Sequence, residues 1–244
     1  MATLLYVFPH PDDESFGPAP AIWQQKQQGH DVHLLTLTRG EATRQRHKHN
    51  LSKEEMGVAR FKEMQCVAEK LQLASLKVLS YPDGELGAMD PRILEETLVD
   101  HIKRVKPDVL ITYAVHGISG HHDHLVSHAV AKRVFCQLQD EEPEIAPARL
   151  AFFTLPPPTE NGDRPDHLQH SAAEAIDVIV TLTDDDLSKG TDALDCYVTY
   201  HDVIEQHQPL NTVRHSGVCF ELFGENPDDV LQDVTAHLPA AETA

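Results

Sequence analysis

Residues 4–14, LLYVFPHPDDE, join a short apolar run to a polar segment with two prolines, one histidine and three acids. Five apolar residues, 4–8, have the length expected of a buried strand. A helical pattern over 15–28 follows and ends at Gly29, before a second apolar run at 32–37. Strand, helix and strand in this order predict a βαβ unit of a parallel sheet.

The same alternation continues through the first half of the chain. Ser52 and Glu55 form a capping box that opens a helix predicted to run to residue 71. Asp90 and Pro91 begin another helix, since proline is favoured in a first helical turn. The other elements predicted here are strands at 76–80 and 108–114 and a helix at 121–139.

Beyond residue 139 the pattern is weaker. Strands are predicted at 148–155 and 175–182, a helix at 184–201, and a Pro-rich loop at 155–171, the kind of loop that often forms a lid. We expect one Rossmann-like α/β domain over residues 1–244, with a mostly parallel sheet flanked by helices. The last nine residues, 236–244, are expected to fray.

The composition is that of a folded globular protein that does not bind nucleic acid. The 244 residues are 41% hydrophobic and 24% charged, which suits one α/β domain with a sizeable core. A formal net charge of -19 does not offer the basic face that phosphate binding requires. We expect no membrane span and no signal peptide, because long apolar runs and an initial basic region are both lacking.

The cysteines favour a reducing compartment. The four are scattered without CxxC spacing, so they indicate neither a disulfide framework nor a thiolate zinc site. They are Cys66, Cys136, Cys196 and Cys219. The expected location is the cytoplasm.

Two clusters of metal-binding side chains each follow a predicted strand. In the first, FPHPDDE at 8–14, His10 and Asp13 lie in a tight loop, because Pro11 fixes its own φ and disfavours helix at His10. Histidine and carboxylate held in this way suit zinc or another divalent transition metal. The second cluster, HGISGHHDH at 116–124, follows the strand predicted at 108–114.

Fold topology predicts that the two clusters meet. In a doubly wound sheet of order 3-2-1-4-5, the first and fourth strands are neighbours whose connections leave in opposite directions, which opens a crevice at their carboxyl ends. Both clusters fall at this crevice. Spacing leaves the choice among the later histidines open, and an isolated HxxD also occurs as a capping or surface group. These histidines are His121, His122, His124 and His128.

Such a site predicts hydrolysis. Two histidines and one aspartate would leave a ligand position open for water, as catalytic zinc sites do. Metal lowers the pKa of bound water towards ~7, and a carboxylate that is not a ligand can take its proton. Asp12 is placed for that role.

Together the clusters resemble the two signatures of the PIG-L/LmbE-like N-acetylglucosaminyl deacetylases, an [AP]HPDDE loop and a GHxDH loop. PHPDDE at 9–14 and GHHDH at 120–124 match them in the right order. The resemblance covers residues 3–135 well and the remainder loosely. Further points of similarity are LTRGEAT at 37–43, ARFKE at 59–63 and YPDGEL at 81–86.

This resemblance implies a zinc-dependent de-N-acetylase with particular residues in each role. The implied ligands are His10, Asp13 and His124, and the metal is zinc or ferrous iron. Asp12 is implied as the general base. His121 is implied as the group that polarises the acetyl carbonyl or stabilises the oxyanion, where a histidinium would offset negative charge.

Other positions bear on the substrate. Arg60 and Asp83 resemble family positions that hold sugar hydroxyls, although a helix surface ion pair and a turn residue would explain them equally well. The family's glycine pair after the first motif is replaced here by PAPA at 18–21. Where many members carry a histidine before Thr-Gln, this chain reads CYVTY at 196–200, and Tyr197 would supply a hydrogen bond instead.

A basic segment, RGEATRQRHKHN at 39–50, interrupts the acidic chain. It follows the second strand and can border the crevice, where it would meet a carboxylate or phosphate of the substrate. A solvated surface loop explains it equally well. Its cations are Arg39, Arg44, Arg46 and Lys48.

The sequence therefore predicts an enzyme that removes the N-acetyl group from a small N-acetylglucosamine-type substrate with metal-activated water. One alternative is an amidase that acts on a larger acyl group or a thiol conjugate. Another, from a different class, is a non-catalytic nucleotide- or metal-binding module, but no GxGxxG follows the first strand. The expected partner is a sugar-derived small molecule, neutral or anionic, and a homo-oligomer is left open.

Overall fold

One sheet with helices on both faces organises the chain, as seen in a computed structural model that describes residues 1–158, 165 and 167–238. The strands are β1 Thr3–Phe8, β2 Asp31–Thr38, β3 Ser75–Tyr81, β4 Val109–Tyr113, β5 Arg149–Thr154, β6 Val178–Val180 and β7 Val218–Leu222. The helices are α1 Ala19–Gln27, α2 Gln45–Lys48, α3 Lys53–Lys70, α4 Pro91–Val105, α5 His122–Glu141, α6 Asp184–Leu194, α7 His201–His207 and α8 Leu210–Ser216.

The strand order is β3-β2-β1-β4-β5-β7-β6. Strands β1 to β5 pair in parallel, and β7 pairs antiparallel with both β5 and β6. The predicted order 3-2-1-4-5 is confirmed, as is the α/β class with a mostly parallel sheet. β1 and β4 are neighbours, so the predicted crevice exists at their carboxyl ends.

Both faces of the sheet are buried. In β1, Leu4, Tyr6 and Phe8 belong to one core cluster, and Leu5 and Val7 belong to another. The first cluster contains residues of α1, α3, α6 and α8, and the second contains residues of α4 and α5. A strand covered on both faces is expected to be apolar throughout, as LLYVF is.

The first half of the chain follows the predicted elements closely. The capping box is present, with the Ser52 side chain accepting from the Glu55 N–H and the Glu55 carboxylate accepting from the Ser52 N–H. The predicted start of the first helix at Ser15 was wrong, since α1 begins at Ala19. Gly17 has φ 150°, which is outside the helical region, so a helix cannot run through this position.

The second half departs further from expectation. The helix predicted over 184–201 is instead α6, which ends at Leu194, and a short 3₁₀ turn at Val198–Tyr200, after which α7 begins. The Glu63 carboxylate accepts hydrogen bonds from the N–H and hydroxyl of Thr199, which diverts this backbone from a continuous helix. Strand β6 covers three residues where eight were predicted, and β7, α7 and α8 were not predicted.

A disulfide joins Cys66 in α3 to Cys196 after α6, across 130 residues of sequence. The expectation that no disulfide would form was therefore wrong. No local spacing could have indicated this pair, because it depends on the packing of α3 beside α6. Cys136 and Cys219 are free thiols.

The predicted Pro-rich loop is only partly described. Residues 155–158, 165 and 167–171 form neither helix nor strand, and 159–164 and 166 lie outside the described residues. Of the C-terminal segment expected to fray, 239–244 also lie outside them. Among the described residues, no helix is both long and apolar enough to cross a membrane.

Candidate active site

A cavity of about 510 Å³ opens at the carboxyl ends of β1 and β4. The loop after β1 and the first turn of α5 both line it, as the topology predicts. The sequence-predicted residues that line it are His10, Asp12, Asp13, Arg60, Asp83, His121 and His124. The fold thus brings every predicted site residue to one place, while their chemical roles stay predictions.

The loop after β1 is held in a tight turn by its own backbone. The Asp12 carbonyl accepts from the N–H groups of Ser15 and Phe16 at 2.8 and 2.9 Å. Asp12 itself has φ 90°, which is uncommon for a residue other than glycine. The Asp13 carboxylate accepts from the His10 N–H at 2.8 Å. This turn places His10 and Asp13 on the same side of the loop.

The second cluster is formed by the start of α5. His121 is the N-cap of this helix, and its Nδ1 accepts from the Asp123 N–H at 3.2 Å. His124 lies one turn further along the helix. A Cβ on Gly117, which has φ +63°, would lie 2.8 Å from the Cβ of His124, so glycine is required where this loop approaches the helix.

Asp13 lies at the spacing of a shared metal ligand from both His10 and His124. The Asp13 carboxylate oxygens lie 3.5 Å from His10 Nδ1 and 3.3 Å from His124 Nε2. Two ligands about 2.1 Å from one tetrahedral zinc ion would themselves be about 3.4 Å apart. The donor types, and the spacing of Asp13 from each histidine, therefore fit ligands of zinc.

The ring tautomers fit a metal as well. His124 Nδ1 donates to the Gly117 carbonyl at 2.9 Å, which leaves the Nε2 lone pair facing Asp13. His10 Nε2 lies 3.2 Å from oxygens of both Asp83 and Asp123, so this nitrogen carries the proton and Nδ1 keeps its lone pair. Metal-binding histidines commonly donate their second N–H to a carbonyl or carboxylate in this way.

Asp123 organises the surroundings of His10. Its carboxylate is fully buried and also accepts from the N–H groups of Gly84 and Leu86 at 2.8 and 3.1 Å. It thereby fixes the loop that carries Asp83 against the start of α5. Asp123 was not predicted as a site residue, although its place inside the GHHDH motif was a signal.

Two groups of three side chains have all their donor atoms close enough together to hold an ion. His10, His121 and His124 offer atoms within 4.8 Å of one another, and so do His10, Asp83 and Asp123. In the first group the Nδ1 of His121 is already bonded to the Asp123 N–H, and in the second the carboxylates accept the proton of His10. Asp13 completes the set better, because its oxygens lie between two free lone pairs.

Two of the four later histidines face elsewhere. His128 Nδ1 donates to the Tyr113 carbonyl at 2.9 Å, and its ring lies 4.5 Å from that of Phe152, in the core on the other face of the sheet. The His122 ring packs where a side chain on Gly87 would stand. Neither contributes to the described lining of the cavity.

Asp12 is held by two residues from distant parts of the chain. Arg60 Nη2 donates to Asp12 Oδ2 and to the Pro11 carbonyl, each at 2.6 Å. The Asp12 N–H donates to the Tyr197 hydroxyl at 2.8 Å, and that hydroxyl donates to the Glu14 carboxylate at 2.6 Å. Burial raises the pKa of Asp12 to about 6, although the charge of Arg60 acts in the opposite direction.

The other acids and histidines separate into charged and neutral groups. Burial opposes ionisation of Asp13, but His124 and His10 outweigh it and hold its pKa far below the ordinary value. Burial, followed by the charges of His10 and His124, lowers the pKa of His121. The hydrogen bond from the Asp123 N–H acts in the same direction, because it requires a lone pair on His121 Nδ1.

Arg60 is not a surface residue. Its side chain is 2% exposed, and its guanidinium lies 4.0 Å over the Tyr200 ring. A Cβ on Gly40, at φ +63°, would approach Arg60 Nη1 to 2.4 Å, so glycine leaves room for this side chain. Asp83 accepts from the Ala42 N–H at 2.7 Å. The explanation of Arg60 as a surface ion pair does not hold, whereas Asp83 does lie in a turn.

The basic segment 39–50 contributes one cation to the lining of the cavity, besides Thr43 and Ala42. Arg44 lines it. Lys48 instead pairs with Asp202 at 3.2 Å, and His49 Nε2 lies 3.1 Å from the Thr199 carbonyl. One part of the segment therefore contacts the region after α6, and another part borders the cavity.

Proteins of known function show similarity to this chain. A probable N-acetylglucosaminyl-phosphatidylinositol de-N-acetylase of Schizosaccharomyces pombe is 32% identical over 138 residues, 54% of this chain and 51% of that one. The chain spans about half the length of the curated relatives it matches first.

Solved structures share the fold over nearly the whole chain. The 4-carboxy-2-hydroxymuconate hydratase GalB of Pseudomonas putida KT2440 has a TM-score of 0.69 at 18% identity, covering 95% of this chain and 100% of that one. The zinc-inhibited form of teicoplanin deacetylase Orf2 has a TM-score of 0.67 at 13% identity, covering 90% and 96%. Identities this low show the fold alone.

The family model for PIG-L, described as GlcNAc-PI de-N-acetylase, matches residues 5–135. This range contains the loop after β1, Arg60, Asp83 and the start of α5, which together form the centre of the cavity. The match spans more than half of the 244 residues. The chain therefore belongs to the PIG-L family.

Proposed function

We propose that this chain is a zinc-dependent hydrolase that removes the N-acetyl group from a small N-acetylglucosamine-type substrate. The observation that carries the proposal is the convergence of His10, Asp13 and His124 beside Asp12 and His121 in one cavity. Membership of the PIG-L family and the de-N-acetylase names of its relatives support the same activity.

His10, Asp13 and His124 would hold the metal. When bound, zinc would supply a water of lowered pKa and a Lewis acid for the amide carbonyl. Asp12 would take the proton of the attacking water at Oδ1, because Oδ2 is occupied by Arg60. The same oxygen would return the proton to the leaving nitrogen, so that one water is consumed and acetate and a free amine are formed.

His121 would act on the carbonyl oxygen. Its Nδ1 accepts from the Asp123 N–H, which fixes the proton on Nε2. A neutral N–H held in place costs no reorganisation when negative charge develops on the oxygen. We therefore assign His121 as an oxyanion donor that needs no net charge.

Arg60 and Asp83 would border the sugar. The Arg60 donors that contact protein hold Asp12, Pro11 and Gly40, so its main task in this proposal is to orient the base. Asp83 faces the cavity from the opposite side of His10 and would accept from sugar hydroxyls.

Metal analysis combined with acetate release from a panel of N-acetylglucosamine derivatives tests the proposal. Asp12→Asn should keep its metal and lose at least about 10² in kcat, the scale of general acid-base catalysis. Asp31→Asn, a half-exposed aspartate at the start of β2, is the matched control and should retain activity. Protein that binds no metal and releases no acetate from any derivative would overturn the proposal.

A further inference from the structure

We propose that one side of the cavity is an acyl subsite that accepts N-acyl groups longer than acetyl. This inference rests on the proposed function and deepens it. The subsite is formed by a set of side chains that we call the apolar wall, and it would give the enzyme a preference for medium-length acyl chains. The apolar wall consists of Phe16, Ile118, Phe153, Leu155 and Leu168.

The apolar wall lies on the His124 side of the metal ligands. The Tyr113 ring stacks on His124 with centroids 4.2 Å apart, and the Phe153 ring lies 6.0 Å beyond Tyr113. A Cβ on Gly17 would lie 2.6 Å from the Phe153 ring, which places this ring against the loop that carries Phe16. These side chains belong to one core cluster or pack against it, so the apolar wall is the edge of a hydrophobic core that reaches the cavity.

The opposite side of the cavity is polar. Arg60 contacts Asp12 there, and the Tyr200 hydroxyl lies 2.5 Å from the Thr43 hydroxyl. Arg44 follows Thr43 on the same rim. Sugar hydroxyls need hydrogen-bond partners when they leave water, and this side offers them while the apolar wall does not.

The geometry of the amide then decides what faces the apolar wall. A secondary amide is planar and trans, so the groups on its nitrogen and on its carbonyl carbon point away from each other. A sugar on the polar side, with the carbonyl at His121, directs the acyl chain towards His124 and the wall beyond it. Ile118, Leu155 and Phe153 are 8%, 6% and 1% exposed, so the partly buried Phe16 and Leu168 contribute most of the apolar surface that a chain longer than acetyl would contact.

Ile118, a member of the apolar wall, has a strained backbone conformation. It is a β-branched residue at φ 57°, where such residues are genuine outliers. Its N–H donates to His116 Nδ1 at 3.0 Å, and its carbonyl accepts from the Gln169 N–H at 2.7 Å. The second bond also brings Leu168 beside Ile118. Strained residues fixed from both sides cluster at ligand sites, and Ile118 lines this one.

A series of N-acyl glucosamines tests the inference directly. N-acetyl, N-butyryl and N-hexanoyl glucosamine should be compared by the appearance of free amine, a signal that does not depend on the acyl group. We expect kcat/KM to rise by about fourfold for each added methylene through butyryl, which corresponds to about 0.8 kcal/mol per buried methylene. Hydrolysis of the acetyl compound with a steady fall for longer chains would overturn the acyl subsite.

Failure of the proposed function gives a different result, namely no free amine from any member of the series. A comparison of glycosides that carry aromatic and aliphatic aglycones is a second test of the inference. If phenyl N-acetylglucosaminide is favoured over the methyl glycoside while longer acyl chains are rejected, the apolar wall binds the aglycone and the inference is wrong.

Substitutions test whether the apolar wall is the part of the cavity that contacts the acyl chain. Leu168→Asn should lower the ratio of hexanoyl to acetyl kcat/KM by about tenfold, because a polar amide replaces part of the wall. Leu182→Asn is the matched control, since Leu182 is also partly buried against the same core cluster but lies outside the described lining of the cavity. An unchanged ratio in folded Leu168→Asn protein, or equal loss in both variants, would contradict the assignment.

Discussion

Removal of the Tyr197 hydroxyl should separate positioning of Asp12 from binding of substrate. This hydroxyl accepts from the Asp12 N–H at 2.8 Å and donates to the Glu14 carboxylate at 2.6 Å. Tyr197→Phe would leave the Asp12 N–H without its partner while the backbone there stays at φ 90°. We expect kcat to fall by about 10- to 10²-fold, the scale of a displacement near 1 Å, with metal content and KM changed less than about twofold.

The effect on stability can be worked out from the same contacts. Loss of one bond to a carboxylate costs about 1.5–3 kcal/mol, and an unpaired buried N–H costs about 1–3 kcal/mol. Allowing for relaxation, the free energy of unfolding should fall by about 2–4 kcal/mol. For a chain of this length that is a decrease in Tm of roughly 5–15 °C.

Tyr6→Phe is the matched control. The Tyr6 hydroxyl is also fully buried and donates to Gln25 Oε1 at 2.9 Å, but it lies in the core away from the cavity lining. This variant should lose stability without losing kcat. Steady-state kinetics, thermal melts and metal analysis on both variants provide the measurements. If Tyr197→Phe loses stability while kcat stays within twofold of the wild type, Tyr197 has a purely structural role.

Three other outcomes are expected. His124→Ala should remove most bound metal and His128→Ala should not, as elemental analysis would reveal; equal loss in both would show that the wrong histidine is assigned. Cys66→Ser should lower the free energy of unfolding by about 2–5 kcal/mol, because the disulfide closes a loop of 130 residues, and a reductant should lower the Tm of the wild type but not of the variant. Burial lowers the pKa of His101 to about 4, so its contribution to stability is present above pH 6.5 and is lost as the pH falls towards 4. His101→Asn should therefore have a Tm that depends less on pH over this interval, and an unchanged dependence would exclude His101 as a source.

Local signals explain why the first half of the fold could be predicted. The apolar run of β1 and the capping box of Ser52 and Glu55 are decided within a few residues, and the structure has both. The end of α6 depends instead on Thr199 meeting Glu63, and no pattern in the neighbouring sequence carries that contact. The Cys66–Cys196 disulfide could not be predicted for the same reason.

The candidate site, like the fold, could be predicted only in part from the sequence. His10, Asp13 and the second histidine cluster could be placed at one crevice because strand order alone brings the ends of β1 and β4 together. The contact of Tyr197 with Asp12 spans 185 residues and enters from a part of the chain whose pattern was weak. What surrounds Asp12, the proposed general base, therefore had to come from the three-dimensional structure.

Because a hydratase and a deacetylase share this fold, the fold does not select the reaction, and the lining of the cavity has to do so. Both reactions add water, but a carboxylated muconate presents several negative charges and requires several cations. Among the described lining residues, the guanidinium groups are those of Arg44 and Arg60, and Arg60 is already paired with Asp12. The apolar wall forms the side of the cavity opposite Arg60. The proposed substrate, a neutral amide with a polar sugar at one end and an acyl chain at the other, matches this division of polarity better than a polyanion does.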